Sequence, residues 1–123
     1  MITSPQPATR ESTGSDTDSL ATLCKAAGDP LRVDILRVLR HNAYGVLELS
    51  EILDIGQSGM SHHLKILTKA GLTATRREGN SIFYRRSPIP EEPRLQSLHR
   101  VLFATIDQTE PSRKLQRRIQ HIN

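Results

Sequence analysis

Basic side chains are concentrated in one short part of the chain, residues 57–86. This stretch contains six Lys or Arg residues and one acidic residue, Glu78, so its net charge is +5. The complete chain of 123 residues has a net charge of only +4, so the rest of the chain is slightly acidic. Lys and Arg side chains that face a DNA duplex neutralise phosphates and release condensed counterions. The concentration of charge therefore predicts a DNA-binding surface within residues 57–86.

Small polar side chains accompany this charge on a predicted helix, residues 57–70. Its apolar residues Met60, Leu64 and Leu67 follow helical spacing and should face the protein interior. The opposite face then carries groups that suit base edges and phosphates in a DNA major groove. The predicted DNA contacts of this recognition helix are Gln57, Ser58, Ser61, His62 and Lys65.

Two alternating segments, residues 72–77 and 81–86, predict the strands of an antiparallel hairpin, which we call the wing. The Gly-Asn pair between them tolerates the positive φ that a tight hairpin turn requires. Four arginines lie on the wing, but successive side chains of a strand point to opposite faces, so only some can face DNA. We expect three wing residues to support DNA binding: Arg76, Arg77 and Asn80.

A second helix and a turn are needed to present the recognition helix. Residues 46–53 have the apolar spacing of one helical face, and residues 54–56 form a short turn that contains a glycine. Two short helices joined by such a turn form a helix-turn-helix.

Three further elements are expected around this motif. Helices are predicted over residues 18–27 and 30–40, the second with Asp29 as N-cap and Pro30 in the first helical position. A longer amphipathic helix over residues 91–106 follows the wing and needs a partner surface. Its predicted apolar face consists of Leu95, Leu98, Val101, Leu102 and Ile106.

These elements predict a mainly α fold with a small β-hairpin, a dimeric winged helix-turn-helix. Residues 1–17 are rich in Ser, Thr, Pro and Gly and are expected to be a disordered tail. Residues 18–106 would form the DNA-binding and dimerisation domain, and residues 107–123 a basic amphipathic segment. We interpret the charges at 113–118 as an exposed helix face rather than as DNA contacts, because they lie far from the motif in sequence.

Other chemistries find little support in the residues. The single cysteine, Cys24, excludes an internal disulfide framework, and next to an apolar stripe it is expected to be a small buried residue rather than a redox sensor. His62 and His63 point about 100° apart on a helix and cannot easily chelate one metal, so we expect His63 to be packed or hydrogen-bonded at the core. The sequence shows no catalytic motif, which predicts a protein that is not an enzyme. It shows no apolar run of the ~20 residues needed to span a membrane, which favours the cytoplasm.

The ordered motifs resemble those of the arsenic-repressor (ArsR-type) winged-helix transcriptional regulators. The resemblance covers roughly residues 20–102 and depends on the order and spacing of several short motifs. These are Gly28-Asp29-Pro30-Leu31-Arg32, Glu48-Leu49, Ser61-His62-His63-Leu64-Lys65, Gly71-Leu72 and Arg76-Arg77-Glu78-Gly79. The resemblance implies a homodimer built from the first and last helices, with recognition helices in successive major grooves of an inverted repeat. It also implies that binding represses transcription.

Many members of this family respond to metals or metalloids, but the ligand positions that the resemblance indicates are not filled here. Where the family's metalloid motif has thiolates, this chain has Ser50 and Ile52. Soft metalloids need thiolate ligands, which these residues do not supply. On the last long helix only His99 and Asp107 are near the family's zinc positions, at a different spacing. We therefore expect no metal site and no cofactor, and the sequence identifies no small-molecule effector.

Two alternatives to a free-standing DNA-binding repressor stay open. A winged helix can dock a partner protein instead of a duplex, although the charge of residues 57–86 argues against this. The motifs also resemble the amino-terminal part of longer regulators that carry a methyltransferase-like domain sensing a sulfur-containing adenosine metabolite. In that case the chain would be the DNA-binding part of a larger sensor.

Overall fold

The structure, a computed structural model, describes residues 16–122. Within this part the chain forms six helices and one antiparallel hairpin. The sequence predicts the hairpin and five of these helices, and describes the region of the sixth as a basic amphipathic segment. In chain order they are α1 (Asp16–Ala27), α2 (Pro30–Val38), α3 (Val46–Leu53), α4 (Gln57–Lys69), β1 (Thr73–Glu78), β2 (Ser81–Arg86), α5 (Pro93–Gln108) and α6 (Arg113–Ile122).

Helix α1 begins two residues earlier than predicted. Asp16 and Asp18 lie in its first turn, where carboxylates interact favourably with the helix dipole. The remainder of the tail predicted for residues 1–17 lies outside the described residues. Leu23 and Ala26 form the buried stripe of α1, whereas Cys24 is exposed, so its predicted burial is wrong. Neighbouring helical residues point about 100° apart, which turns Cys24 away from that stripe.

The hydrophobic core is aliphatic and lies beneath the recognition helix. Helices α2, α3 and α4 all contribute side chains to it, and Leu72 at the end of α4 completes this layer. The largest fully buried members are Ile35, Leu36, Leu49, Leu53, Met60, Leu64, Leu67, Leu72 and Leu115. The inward face predicted for α4 is thus confirmed.

Local signals set the limits of the helix-turn-helix. Helix α3 has the predicted bounds, and at its start Glu48 accepts a hydrogen bond from the Gly45 amide at 2.9 Å. Asp54 ends α3 in the left-handed region, with φ of 55°. Gly71 follows α4 with φ of 79°, a conformation that costs glycine little. The chain therefore reverses sharply before and after the recognition helix.

The wing is a two-stranded antiparallel hairpin whose tip is a two-residue turn. Glu78 pairs with Ser81, and Gly79 takes a φ of 62° between them. A positive φ at the first central residue matches a type II′ turn, which suits the strand twist. The segment between α2 and α3 forms a short bridge to the wing, in which the Tyr44 and Tyr84 amides each donate to the other's carbonyl, at 3.0 and 2.8 Å.

The inward face of α5 differs from the predicted one. The residues that are buried are His99, Phe103 and Ile106, whereas Val101 is 63% exposed. The ring of His99 packs edge-on against Phe103 in the interior. The sequence prediction treated this histidine as polar and therefore rotated the expected inward face of α5 around the helix. Leu98 and Leu102 are only half-buried, which leaves an apolar edge on the outside of α5.

Helix α6 returns to the helix-turn-helix. Leu115 is 2% exposed and belongs to the core, while the Ser112 hydroxyl donates to the buried carboxylate of Asp34 in α2. Lys114 and Arg118 donate to backbone carbonyls at the end of α3. The predicted exposed basic face is therefore only partly exposed, because two of its cations cap α3.

Candidate nucleic-acid interface

The five predicted contacts of the recognition helix lie together on one exposed face of α4. The opposite face is anchored by three fully buried side chains, Met60, Leu64 and Leu67. The buried apolar face fixes the orientation of the helix. The polar side chains then stay in solvent, so none of them is buried without a hydrogen-bond partner. The exposed residues are Gln57, Ser58, Ser61, His62 and Lys65.

The beginning of α4 offers backbone donors as well. Its N-cap is Gly56, which has no side chain that could accept a bond from the first amides. The first N–H groups of a helix have no partner within the helix, and the helix dipole makes this end attractive to anions. A DNA phosphate could therefore be bound by the start of the recognition helix.

His63 holds the back of α4 to the preceding helices, as predicted for a packed or hydrogen-bonded residue. Its Nδ1 lies 3.1 Å from an Arg32 guanidinium nitrogen. Arg32 also donates to the carbonyls of Ala26, at 2.7 Å, and Lys25, at 3.0 Å, so it joins the end of α1 to α4. Burial lowers the pKa of His63 most strongly, and the Arg32 charge lowers it further against the opposing effect of nearby Asp29.

The three predicted wing contacts are all exposed, and of the two arginines only Arg76 forms an ion pair in the described chain. Arg76 forms an ion pair with Glu78 at 3.2 Å, with both side chains more than half exposed. Such a pair contributes little stability and could exchange Glu78 for a phosphate. Arg77 and Asn80 are exposed at and near the tip, and Arg77 lies across the ladder from the exposed Ile82.

Arg86 stabilises the fold through contacts with other elements of the protein. Its guanidinium binds both carboxylate oxygens of Asp107, at 2.7 and 3.0 Å, and its Nε donates to the Leu36 carbonyl at 2.8 Å. It also lies 4.7 Å from the centre of the Phe103 ring. The Arg86 guanidinium holds the pKa of Asp107 below its usual range. Arg86 therefore fastens the wing to α2 and α5.

A groove of about 360 Å³ between α4 and the wing contains residues that the sequence prediction missed. Thr75 and Tyr84 pair across the hairpin and turn towards α4, and Thr68 hydrogen-bonds Thr73 at 2.8 Å to hold the two elements together. The register of the hairpin was the only signal that could have placed Thr75 beside Tyr84. The lining consists of Ser61, Lys65, Thr68, Lys69, Thr75 and Tyr84.

The positions that correspond to family metal sites do not fit a metal. Asp107 is already bound by Arg86 and lies 3.3 Å from Arg40. His99 is buried and its Nδ1 has no hydrogen-bond partner, while Ser50 is a buried hydroxyl without a partner. Among residues 16–120, whose side chains the structure describes, no group of three or more His, Cys, Asp or Glu side chains could hold a metal ion. Within the same range, no helix is both long and apolar enough to cross a membrane.

Residues 29–74 match the sequence pattern of a family described as "Bacterial regulatory protein, arsR family". The chain is 38% identical over 79 residues to the transcriptional activator HlyU of Vibrio cholerae, a match that covers 64% of this chain and 73% of HlyU. It is 34% identical over 77 residues to the biofilm growth-associated repressor of Xylella fastidiosa, covering 63% of this chain and 68% of that protein.

Solved structures show the same fold. HlyU from Vibrio cholerae aligns with a TM-score of 0.55 at 34% identity, over 72% of this chain and 97% of HlyU. The homodimeric winged helix-turn-helix domain of Mb0332 from Mycobacterium bovis aligns with a TM-score of 0.63 at 22% identity, over 86% and 92% of the two chains. With its exposed recognition helix and wing, the chain belongs to the ArsR family and is a DNA-binding transcriptional regulator.

Proposed function

We propose that the protein is a repressor that binds an inverted-repeat operator as a homodimer. The polar face of α4 enters the major groove and reads base edges, and the wing contacts the backbone beside it. The observation that carries this proposal is that all five predicted residues of α4 are exposed, opposite a face of fully buried side chains. The X. fastidiosa relative is named a repressor and the V. cholerae relative an activator, so the direction of regulation needs its own assay.

The homodimer would form through α1 and α5. Leu20 on α1 and Val101 on α5 are 48% and 63% exposed, so each of these neighbouring helices presents a large apolar side chain on the outside. Leu20 and Leu98 line one recess of about 210 Å³, so α1 and α5 present a continuous surface. Burying such a side chain stabilises by ~1.5–3 kcal/mol, and two-fold symmetry doubles the effect. The Mb0332 domain, which shares the fold, is homodimeric.

The dimer is tested by Val101→Glu, with Leu47→Glu as the matched control. Leu47 is 60% exposed, similar to Val101 at 63%, but it lies on α3 and not on the helices of the proposed interface. Sedimentation equilibrium should show a monomer for Val101→Glu and a dimer for the wild type and the control. An unchanged dimer in Val101→Glu would refute the interface.

The operator is found by footprinting purified protein on genomic fragments that include its own upstream region. Two recognition helices related by a dyad should protect half-sites about 34 Å apart, one turn of DNA. Adding the protein to a transcription reaction on the footprinted promoter should lower transcript yield. An increase in transcript yield would identify an activator instead.

The roles of the individual residues are separable. Ser61→Ala or His62→Ala should reduce discrimination between the operator and scrambled DNA by ~1–3 kcal/mol, since these side chains would contact bases. Arg77→Gln should weaken binding to both DNAs equally and lower the salt slope, since it would contact phosphate. Equal losses on both DNAs for all three variants would contradict this division.

A further inference from the structure

Helix α6 lies against the turn that leads into the recognition helix. The Lys114 Nζ lies 3.0 Å from the carbonyl of Asp54, which is three residues before Gln57, the first residue of α4. Arg118, one turn further along α6, donates to the carbonyls of Glu51 and Ile52. A segment that is distant from the motif in sequence is therefore adjacent to it in space.

The charge of α6 is not neutralised by these contacts. Helix α6 carries four cations and no acidic residue, and none of the four forms an ion pair within residues 16–122. A carbonyl accepts a hydrogen bond but provides no counter-charge, and a Lys ammonium retains further donors. Helix α6 thus adds positive charge beside the turn that precedes α4.

The four cations divide into two stripes. Lys114 and Arg118, four residues apart, face α3 and stabilise the negative end of its dipole. Arg113 and Arg117, also four residues apart, are exposed on the neighbouring stripe. Capping of α3 accounts for the first pair, whereas the Arg113 and Arg117 side chains form no hydrogen bond or ion pair with any side chain or backbone group in the described part of the chain.

We propose that α6 is a third DNA-contacting element, in which Arg113 and Arg117 bind backbone phosphates beside the groove occupied by α4. This inference rests on the DNA-binding function of the helix-turn-helix. Arginine suits the role because its planar guanidinium can donate two parallel bonds to one phosphate. Contacts of this kind strengthen binding to every sequence and fix the position of the protein on the duplex.

The test compares Arg113→Gln/Arg117→Gln with the control Lys25→Gln/Arg100→Gln. Both double variants remove two exposed cations, and those of the control lie on α1 and α5. Because α1 and α5 are the proposed dimer helices, sedimentation equilibrium first establishes that both variants are dimers. Gln keeps a helix stable, so both variants should unfold at the wild-type urea concentration. Affinity for operator and scrambled DNA is then measured at several salt concentrations.

Each phosphate contact contributes ~0.9 to the slope of log K against log salt concentration. In a dimer, the magnitude of this slope should fall by ~1.8 in the α6 variant if one arginine of each protomer contacts phosphate, and by ~3.6 if both do. Its affinity should fall by the same factor on both DNAs, and Arg113→Lys/Arg117→Lys should restore most of the slope. A slope equal to that of the control would refute the proposal for α6 alone. Failure of the wild type to bind any DNA would overturn its premise.

Discussion

Arg86→Met tests whether the last arginine of the wing fastens the fold rather than binding DNA. Methionine retains an apolar stem and can contact the Phe103 ring through its sulfur. The substitution therefore removes the three hydrogen bonds to Asp107 and the Leu36 carbonyl while it preserves much of the packing. Arg85→Met is the matched control, because Arg85 is the neighbouring residue and is exposed.

The expected loss of stability is about 3 kcal/mol, from the cost of ~3–5 kcal/mol for removing one partner of a buried ion pair. The Arg86 and Asp107 side chains are 13% and 15% exposed, so most of the pair is shielded from water. The lower end of the range applies because Arg40 stays 3.3 Å from Asp107 and partly compensates the carboxylate. Arg85→Met should change stability by less than about 0.5 kcal/mol, as is usual for surface positions.

Urea denaturation followed by circular dichroism at neutral pH measures both variants. The pH dependence gives a second readout, because Arg86 holds the pKa of Asp107 below its ordinary value. A carboxyl with a lowered pKa stabilises the fold above about pH 4, and this stabilisation is lost as the pH falls through its folded-state pKa. The wild type should therefore lose more stability on acidification than Arg86→Met. A loss below about 1 kcal/mol for Arg86→Met, or a salt slope reduced as in Arg77→Gln, would refute the anchoring role.

Two further positions give distinct expectations. Gly59 lies within α4, and an added Cβ would meet only the Ile55 side chain, at 4.0 Å. Gly59→Ala should therefore raise the free energy of unfolding, measured by urea denaturation, by ~0.5–1 kcal/mol. A lower free energy of unfolding would show that the position cannot hold a side chain. Burial lowers the pKa of His99, so the unfolded chain binds a proton first and stability should fall as the pH drops below about 6.5. His99→Phe should reduce this fall between pH 7 and 5 and leave the part that the lowered pKa of His63 contributes, and an unchanged fall would exclude His99 as a source.

The elements that the sequence predicted well are those specified by neighbouring residues. Helix α3 has its predicted bounds, and α4 its predicted start, because apolar spacing and the turn at 54–56 are local signals. Local patterns also predicted the exposed face of α4, since burying Met60, Leu64 and Leu67 leaves only one orientation for the helix. The polar candidates on α4 follow directly from that orientation.

The features that the sequence did not reveal depend on partners far along the chain. Arg86 bonds Leu36 and Asp107, which are 50 and 21 residues away, so nothing local distinguishes it from the exposed Arg85. His99 looks polar in sequence, yet its ring fills space against Phe103, which rotated the predicted face of α5. The docking of α6 was missed for the same reason, because Lys114 meets Asp54 only after the chain folds back.

These long-range partners change how much of the charge in residues 57–86 can reach DNA. Arg86 is neutralised by Asp107 and Arg76 shares its charge with Glu78, so the cations of this stretch without an ion pair in the described chain are Lys65, Lys69, Arg77 and Arg85. If these four and Arg76, which can exchange Glu78 for a phosphate, all contact DNA in a dimer, the salt slope reaches about −9, and Arg113 and Arg117 would extend it to about −13. A wild-type slope steeper than about −9 therefore requires cations outside the recognition helix and wing. Helix α6 can supply such cations, because its Lys114 contacts the carbonyl of Asp54 in the turn before the recognition helix.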